Sequence, residues 1–295
     1  MILVTGATGH LGRAVVDALL ILRQPQDIAG LVRDPQKAGD LNDKGIVLRV
    51  GHYDDAAALD RAMDGVERVL LISGTDEDNR IRQHGNVIAA ATRAGVTLIA
   101  YTGRAMRDPA ASANQLMDGH FGTEDLIRAS GMTYVLFRNA LYMDTLPLFF
   151  GGERVFETGI RIPAGGGQVA FALRQELGEA IAKVMHAGVN ESRTMLLTAH
   201  EAWSFDDVAA ALTDISGRPV AYTATDKAAF EAMMGKAGLP DARIRRIYGF
   251  YCDIRDGQLD EVSPDLEALL GRQPAGLKDG LRTLFRSPRR PSAAD

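Results

Sequence analysis

Cysteine, long hydrophobic stretches and surplus positive charge are all scarce in this sequence of 295 residues. Cys252 is the one cysteine, so no disulfide can form within the chain, which fits a reducing compartment. Apolar runs such as Ala14–Leu22 are interrupted by charge and are shorter than the roughly 20 residues that span a bilayer. We therefore expect a cytoplasmic protein without a membrane segment.

Positive charge is in deficit, because 33 Lys and Arg residues stand against 38 Asp and Glu residues, which gives a net charge of −5. Nucleic-acid-binding domains are strongly basic, so no direct nucleic-acid partner is expected. Arg286, Arg289 and Arg290 lie among prolines, and this composition predicts a disordered tail over 286–295. The six histidines are scattered and there is no cysteine cluster, so we expect no metal site.

The first half of the sequence alternates regularly between strand and helix patterns. Short apolar runs predict buried strands at Ile2–Thr5, Ile28–Val32, Ile46–Val50, Val69–Ile72, Thr97–Tyr101 and Thr133–Phe137. Helical patterns lie between them, at Leu11–Leu22, Pro35–Lys44, Ala56–Met63, Ile81–Ala94 and Leu116–Ser130. Strands joined by helices of this length must be parallel, so the predicted fold class is α/β, with a doubly wound parallel sheet covered by helices on both faces.

A glycine-rich segment joins the first strand to the first helix. Its glycines are spaced three residues apart, at Gly6, Gly9 and Gly12. In a dinucleotide-binding turn, the first glycine allows the tight turn, the second lets the backbone approach the pyrophosphate, and the third lets the helix pack closely on the sheet. Amide groups at the start of such a helix favour phosphate groups. This segment therefore predicts a Rossmann-type dinucleotide site.

The residue after the second strand bears on which dinucleotide is bound. Sites for NAD usually place a carboxylate there to hold the ribose 2′-hydroxyl. This chain has Arg33, 21 positions after Gly12, and a guanidinium suits the 2′-phosphate of NADP(H) by charge and by bidentate geometry. The alternative for Arg33 is a solvated surface charge. Asp34 comes next, and its position before Pro35 is typical of a helix N-cap.

The second half of the chain is less regular. Glycine-rich stretches predict loops after residue 140, followed by helices at Gln175–His186, Ser204–Ser216, Lys227–Ala237 and Pro264–Leu270 and a further strand at Met195–Thr198. We predict a Rossmann-type domain over 1–140, with its sheet completed by 175–200. A smaller C-terminal substrate lobe is predicted from 141–174 and 201–285, over the carboxyl edge of the sheet.

The sequence resembles the atypical short-chain dehydrogenases of the NmrA-like family. Within that family, it is similar to the branch of bacterial NADPH:quinone oxidoreductases and triphenylmethane reductases. The segments that carry the resemblance are Val4–Gly12, Val32–Pro35, Leu70–Ser73, Gln83–Ile88, Ile99–Thr102, His120–Glu124 and Arg138–Tyr142. Weaker similarity extends to about Phe285.

The resemblance implies a cofactor, a set of contacts and a class of substrate. It implies NADP(H) held by Gly6, Thr8, His10, Leu11 and Arg33, with Ser73 beside the ribose and the nicotinamide side. It implies that Tyr101, Thr102 and the Arg138–Tyr142 segment flank the nicotinamide and a pocket for a quinonoid or aromatic small molecule, such as a quinone or a triphenylmethane or azo dye.

Three departures from related patterns stand out. His52 occupies a position near the adenine where family members often carry Asp, and Gly103 follows the Tyr-Thr pair where they often carry Ser. None of the seven tyrosines is followed four positions later by Lys, the pair that typical short-chain dehydrogenases use as a general acid. Interconversion of alcohols and ketones through a Tyr-Lys general acid is therefore not expected.

Hydride transfer to an electrophilic acceptor depends less on a proton donor than alcohol–ketone chemistry does. A quinone yields a fairly acidic hydroquinone, and a cationic dye carbon takes up hydride without any proton. Such reactions therefore depend mainly on the proximity and orientation of the cofactor and the acceptor. His120, Tyr142 and Asn139 are the candidate catalytic groups, because they lie in segments of the resemblance. The alternatives are a surface histidine on a helix for His120 and aromatic packing for Tyr142.

Three functional hypotheses remain at this point. The first is an NADPH-dependent reductase of quinones or dyes, acting as a monomer or homodimer. The second is a non-enzymatic sensor that binds NADP(H) and regulates a protein partner, which the missing Tyr-Lys pair allows. The third is a sugar isomerase or dehydratase, which the same absence disfavours.

Overall fold

A seven-stranded parallel sheet forms the centre of the molecule. The structure is a computed structural model that describes residues 1–111 and 117–285. Its strands are β1 (Ile2–Val4), β2 (Ile28–Val32), β3 (Val47–Val50), β4 (Arg68–Ile72), β5 (Leu98–Arg104), β6 (Thr133–Asn139), β7 (Ile160–Ile162), β8 (Gln168–Val169), β9 (Arg193–Leu197), β10 (Trp203–Ser204) and β11 (Tyr222–Ala224). The central sheet has the order β3-β2-β1-β4-β5-β6-β9 and every pairing in it is parallel, which confirms the predicted fold class.

Helices cover both faces of this sheet and build the second half of the chain. They are α1 (His10–Leu22), α2 (Gly39–Asp43), α3 (Ala56–Ala62), α4 (Arg80–Arg93), α5 (Asp118–Ala129), α6 (Leu146–Phe150), α7 (Val155–Thr158), α8 (Arg174–Ala187), α9 (Phe205–Ser216), α10 (Lys227–Lys236), α11 (Asp241–Arg255), α12 (Asp265–Leu270) and α13 (Leu277–Leu284). Among the described residues, no helix has the length and hydropathy needed to cross a bilayer.

The two faces of the sheet carry separate apolar cores, because successive strand side chains point to opposite sides. On β5, Leu98 and Ala100 belong to the core under α1, α8 and α12, whereas Ile99 and Tyr101 belong to the core under α3, α4 and α5. Strands β1 and β2 are buried along their whole length. The continuous apolar runs in the sequence therefore reflect strands that are covered on both sides.

Two glycines set how closely helix α1 packs. A Cβ on Gly12 would collide with the carbonyl oxygen of Gly6 and would lie 2.8 Å from the Cα of Ala7. A Cβ on Gly178, in α8, would lie 2.6 Å from the Cβ of Ala14 in α1. Helix α1 is therefore pressed against the glycine turn on one side and against α8 on the other.

A third apolar cluster lies outside the central sheet. It joins α6, α9, α10, α11 and α13 around the buried rings of Phe171, Phe205 and Phe230. The short pairs β8–β10 and β7–β11 border it. Ser204 is the N-cap of α9 and forms a capping box with Asp207, at the predicted start of this helix. This separate cluster supports the predicted division into a nucleotide-binding domain and a smaller lobe, which stays a prediction.

Several predicted boundaries were wrong. The helix expected over Pro35–Lys44 is a 3₁₀ turn at Pro35–Ala38 followed by the short α2, because Asp34 caps the amide of Gln36 and tightens the first turn. Strand β6 runs on through Asn139 instead of ending at Phe137. The sequence missed α11 and α13, and it also missed α6 and α7, which lie in the stretch predicted as loops. Leu116, at the predicted start of α5, and the 286–295 tail lie outside the described residues.

Gly178→Ala should destabilise the protein, because the added methyl group overlaps the backbone and side chain of Ala14. Overpacking of this kind costs about 1–3 kcal/mol in the free energy of unfolding, measurable by urea denaturation. Gly235→Ala in α10 is the matched control, since a Cβ there meets nothing within 4 Å, and it should be neutral or stabilising by up to about 1 kcal/mol. Equal effects of the two changes would contradict the close α1–α8 contact.

Candidate functional site

A cleft of about 650 Å³ lies at the carboxyl ends of β1, β2 and β4, where open α/β sheets hold their ligands. Its walls come from four segments of chain. They are the glycine turn with Gly6, Thr8 and Gly9, the end of β2 with Arg33, the β3–α3 loop with His52, Tyr53 and Asp54, and the β4–α4 loop from Ser73 to Asp76. The structure thus brings together residues that are far apart in sequence, including five of the predicted cofactor contacts.

The glycine turn presents backbone amides to this cleft. Gly6 adopts a φ of +58°, which an L side chain rarely tolerates, and its carbonyl accepts the amide of Gly9 at 2.9 Å. Gly9 is the N-cap of α1 and makes no side-chain cap, so the first amides of the helix remain available for a ligand. Leu11 is buried in the core, so only its backbone can serve the cleft, whereas His10 is exposed.

Arg33 is exposed at the outer end of the cleft. Its guanidinium forms no ion pair or hydrogen bond with any residue in 1–111 or 117–285. It also borders an adjoining hollow of about 430 Å³ that Arg49, His52 and Arg61 help to line. Arg49 donates to the carbonyls of Arg61 and Asp64, whereas the guanidinium groups of Arg33 and Arg61 have no such bond among the described residues, so their donors are left for an anion.

The β3–α3 loop supplies a tyrosine that sequence reasoning missed. The Tyr53 hydroxyl lies 2.5 Å from Thr5 Oγ1 and 2.9 Å from the carbonyl oxygen of Ile72, and burial raises the pKa of Tyr53. Asp54 turns towards α4, where hydrogen bonds from Arg82 and Gln83 lower the pKa of its carboxyl group. His52 is exposed, and its ring accepts the amide of Asp54 at 3.3 Å.

Ser73 and Thr102 meet at the inner end of the cleft. The amide of Ser73 donates to Thr102 Oγ1 at 3.1 Å, and Thr102 is buried. Tyr101 is fully buried on the opposite face of β5, where its hydroxyl lies 2.8 Å from His120 Nδ1. Burial raises the pKa of Tyr101 to about 12. Thr102 therefore fixes the end of β4, and Tyr101 positions His120.

A buried hydrogen-bond chain runs beneath this end of the site. The amide of Gly74 donates to His84 Nε2 at 3.1 Å, His84 Nδ1 lies 2.9 Å from Thr123 Oγ1, and Thr123 donates to the carbonyl of Gly119 at 2.7 Å. Because Nε2 accepts an amide, the His84 proton resides on Nδ1. Burial lowers the pKa of His84 to about 3, so this ring is neutral at neutral pH.

His120 is neutral for the same reason. Burial lowers its pKa well below the usual value, and the positive charge of Arg80 lowers it further. A neutral imidazole can donate one hydrogen bond and accept another, but it is not a charged general acid. The candidate catalytic role of His120 is therefore restricted to hydrogen bonding in this structure.

The Arg138–Tyr142 segment divides between the two faces of the sheet. Arg138 forms two hydrogen bonds to the buried carboxylate of Glu124, at 3.0 and 2.7 Å, so its donors are committed away from the cleft. Asn139 points the other way, and its Nδ2 lies 3.4 Å from the Tyr142 hydroxyl. The structure therefore brings Asn139 and Tyr142 together and leaves the predicted cofactor role of Arg138 without a supporting contact.

Charged residues that sequence reasoning missed surround these groups. Arg104, the last residue of β5, places its guanidinium carbon 4.5 Å from the centre of the Phe250 ring. Arg246 in α11 bridges the β4–α4 loop through Glu77, at 3.4 Å, and Asp78, at 2.5 Å. The position of Arg104 two residues after the Tyr101–Thr102 pair was the one available signal, since ligands bind at strand ends. In the described parts of the chain, no cluster of potential metal ligands occurs.

Comparisons with known proteins identify close relatives of this chain. The sequence pattern of the NmrA-like family matches residues 1–279. Quinone oxidoreductase 2 from Escherichia coli (strain K12) is 36% identical over 97% of this chain and 99% of its own length. A solved structure of the NADPH-dependent quinone oxidoreductase from that species, in complex with NADPH, has a TM-score of 0.90 and covers 97% of this chain and 100% of its own.

Two further relatives act on dyes according to their names. The triphenylmethane reductase of Citrobacter sp., solved with NADP(H), is 36% identical with a TM-score of 0.88, and the match covers 96% of this chain and 100% of its own. The NAD(P)H azoreductase of Xenophilus azovorans is 28% identical over 89% of this chain and 91% of its own length. These findings confirm the family resemblance that the sequence motifs indicated.

The buried His84 should make folding sensitive to mild acid. In the unfolded chain this ring takes up a proton near pH 6.5, whereas the folded ring resists protonation until about pH 3, so stability is complete at neutral pH and falls as the pH drops. Between about pH 7 and pH 5 the loss from one such group amounts to about 2 kcal/mol in the free energy of unfolding. Urea denaturation at several pH values measures it.

His84→Gln keeps an acceptor for the amide of Gly74 and removes one titrating ring, so it should reduce this pH dependence by the His84 share while the share of buried His120 remains. His186→Gln is the control, because His186 is exposed and its replacement should leave the slope unchanged. A wild-type slope in His84→Gln would contradict a buried neutral His84.

Proposed function

Because this chain belongs to the NmrA-like family, we propose that it is an NADPH-dependent reductase that delivers hydride to quinone or dye acceptors. The observation that carries the proposal is a match over nearly the whole length of both chains to the quinone oxidoreductase and the triphenylmethane reductase. The regulatory alternative has no comparable support, since these relatives are named as reductases.

The residues of the cleft fit an NADP(H) molecule. Gly9 and Gly12 leave the helix start without side chains, so that the amides of α1 can approach a pyrophosphate. Arg33, whose guanidinium finds no partner within 1–111 and 117–285, would hold the 2′-phosphate. Thr8 and the backbone of His10 and Leu11 would complete the phosphate contacts.

When bound, the reduced nicotinamide supplies a hydride. The protein's own part is to orient the acceptor and to exclude water, because the described site contains no Tyr-Lys pair and its buried histidines are neutral. Asn139 and Tyr142, which contact each other beside β6, would bind polar atoms of the acceptor. A reduced quinone can take its second proton from water, so the absence of a charged acid in this part of the protein is compatible with the reaction.

Purified protein should oxidise NADPH when a quinone is present and should consume one molecule of NADPH for each quinone reduced. Absorbance of NADPH measures the rate, and chromatography of the hydroquinone measures the stoichiometry. A reaction without acceptor is the control for slow oxidation by air. Tight binding of NADPH with no turnover of quinones, triphenylmethane dyes or azo dyes would favour the regulatory alternative instead.

Arg33→Gln should weaken NADPH binding roughly 10- to 100-fold and leave NADH binding unchanged, because it removes charge-assisted hydrogen bonds to the 2′-phosphate alone. Fluorescence titration of both dinucleotides measures this, and the KM for NADPH should rise while kcat at saturation is kept.

Lys37→Gln is the matched control for that experiment. Lys37 carries the same charge on the following turn and is largely exposed, so its loss should change binding by less than about threefold. Equal weakening of NADPH and NADH binding by Arg33→Gln would rule out the assignment to the 2′-phosphate.

A further inference from the structure

Arg104 lies at the carboxyl edge of the sheet, next to the inner end of the nucleotide cleft. Along that edge the strand ends carry Arg33 after β2, Gly6 after β1, Ser73 after β4, Arg104 on β5 and Asn139 on β6. Arg104 and Asn139 are paired in register, so their side chains point to the same face of the sheet. Thr102, two residues earlier on that face, accepts the amide of Ser73 from the cleft. Arg104 thus lies one strand beyond the wall of the cleft.

The guanidinium of Arg104 is partly buried, and no acidic residue among the described residues forms an ion pair with it. Within the described residues it forms no hydrogen bond and no ion pair, and its carbon lies 4.5 Å from the centre of the Phe250 ring. Burial lowers the pKa of Arg104, while Tyr142 and Asp253 favour its charged form. Arg138 on the neighbouring strand differs, because Glu124 occupies its donors. A partly buried cation without a paired anion suits a ligand that brings negative charge.

Polar and aromatic groups around Arg104 suit a flat ring that carries oxygen. Asn139 is 1% exposed, and its Oδ1 has no hydrogen-bond partner among the described residues, while its Nδ2 faces Tyr142. Phe149 packs edge-on against Phe250 at 6.1 Å between ring centres, which supplies an apolar wall. This combination of two rings, one cation and one buried amide is that expected for a quinone.

We propose that Arg104 binds the acceptor oxygen that becomes negatively charged on reduction, and that this protein therefore prefers quinones to cationic triphenylmethane dyes. The proposal rests on the proposed function. The quinone gains a hydride, so that one C–H bond of NADPH breaks and one bond to hydrogen forms on the quinone. The products are NADP⁺ and a hydroquinone monoanion, which then takes a proton from water.

The charge of Arg104 acts in opposite directions on the two acceptor classes. In quinone reduction, negative charge develops beside a guanidinium that is already in place, which lowers the barrier. A triphenylmethane dye begins as a cation, so the same guanidinium repels both the dye and the transition state, which keeps part of the positive charge, and this repulsion lowers kcat/KM for the dye. The ratio of the two activities is therefore the property that Arg104 controls.

Steady-state kinetics at saturating NADPH test this with para-benzoquinone and malachite green. Arg104→Gln should lower kcat/KM for the quinone roughly 10- to 100-fold and should leave that for the dye unchanged or raised. Arg104→Lys, which keeps the charge, should retain part of the quinone activity. Arg107→Gln is the matched control, because Arg107 lies three residues on, is exposed and pairs with Asp260, so the ratio should change by less than about threefold.

Binding of para-nitrophenol gives a readout that does not depend on turnover. With NADP⁺ bound, wild-type protein should favour the coloured phenolate, so the bound probe should ionise at lower pH than the free probe. Arg104→Gln should abolish that difference and Arg104→Lys should preserve it. Unchanged NADPH binding would show that the variants are folded, and Arg104→Met serves in place of Arg104→Gln if the latter is unstable.

The outcomes separate the two proposals. A parallel loss of both activities in Arg104→Gln, or unaltered ionisation of bound para-nitrophenol, would overturn the role of Arg104. If wild-type protein reduces neither acceptor, the proposed function fails, and the para-nitrophenol titration still decides whether Arg104 recognises an oxyanion.

Discussion

The position of helix α1 depends on a single steric condition, which is that nothing larger than hydrogen fits between Gly12 and the carbonyl of Gly6. With that condition met, the helix start reaches the sheet edge and its first amides face the cleft. Helix α8 then packs against the other side of α1, where Gly178 allows equally close contact with Ala14. The nucleotide site and the packing of the second half of the chain thus share one helix, and displacement of that helix would affect both.

The parts of the fold that follow from local chemistry were predictable from the sequence. The turn at Gly6, the buried strands and the Asp34 cap are each specified by a few adjacent residues, and the structure has all of them. Helix α11 escaped prediction because Arg245, Arg246 and Gly249 interrupt its apolar pattern, although it buries Phe250 and Ile254 against the lobe. Its existence depends on tertiary packing more than on local preference.

In the candidate site, too, some features can be predicted from adjacent residues and others depend on how distant segments pack. Arg33 was predicted to bind the 2′-phosphate from its spacing to the glycine turn, which stays a prediction, whereas the orientation of Arg138 could not be predicted from the sequence. Strand β6 continues two residues further than its apolar run, so Arg138 and Asn139 point to opposite faces, and only the packing of α5 brings Glu124 to Arg138. Arginines at the ends of neighbouring strands therefore differ in whether their donors are occupied, and this depends on whether an acidic residue lies nearby in space.

The ion pairs of Arg246 restrain one wall of the cleft. They connect α11 to the same loop that carries Thr75 and Asp76 of the cleft wall, so this loop cannot swing outward while both bridges hold. Exposed pairs of this kind contribute only about 0–1 kcal/mol each and weaken as counter-ions accumulate. They therefore restrain this loop only weakly, and the restraint decreases further as ionic strength rises.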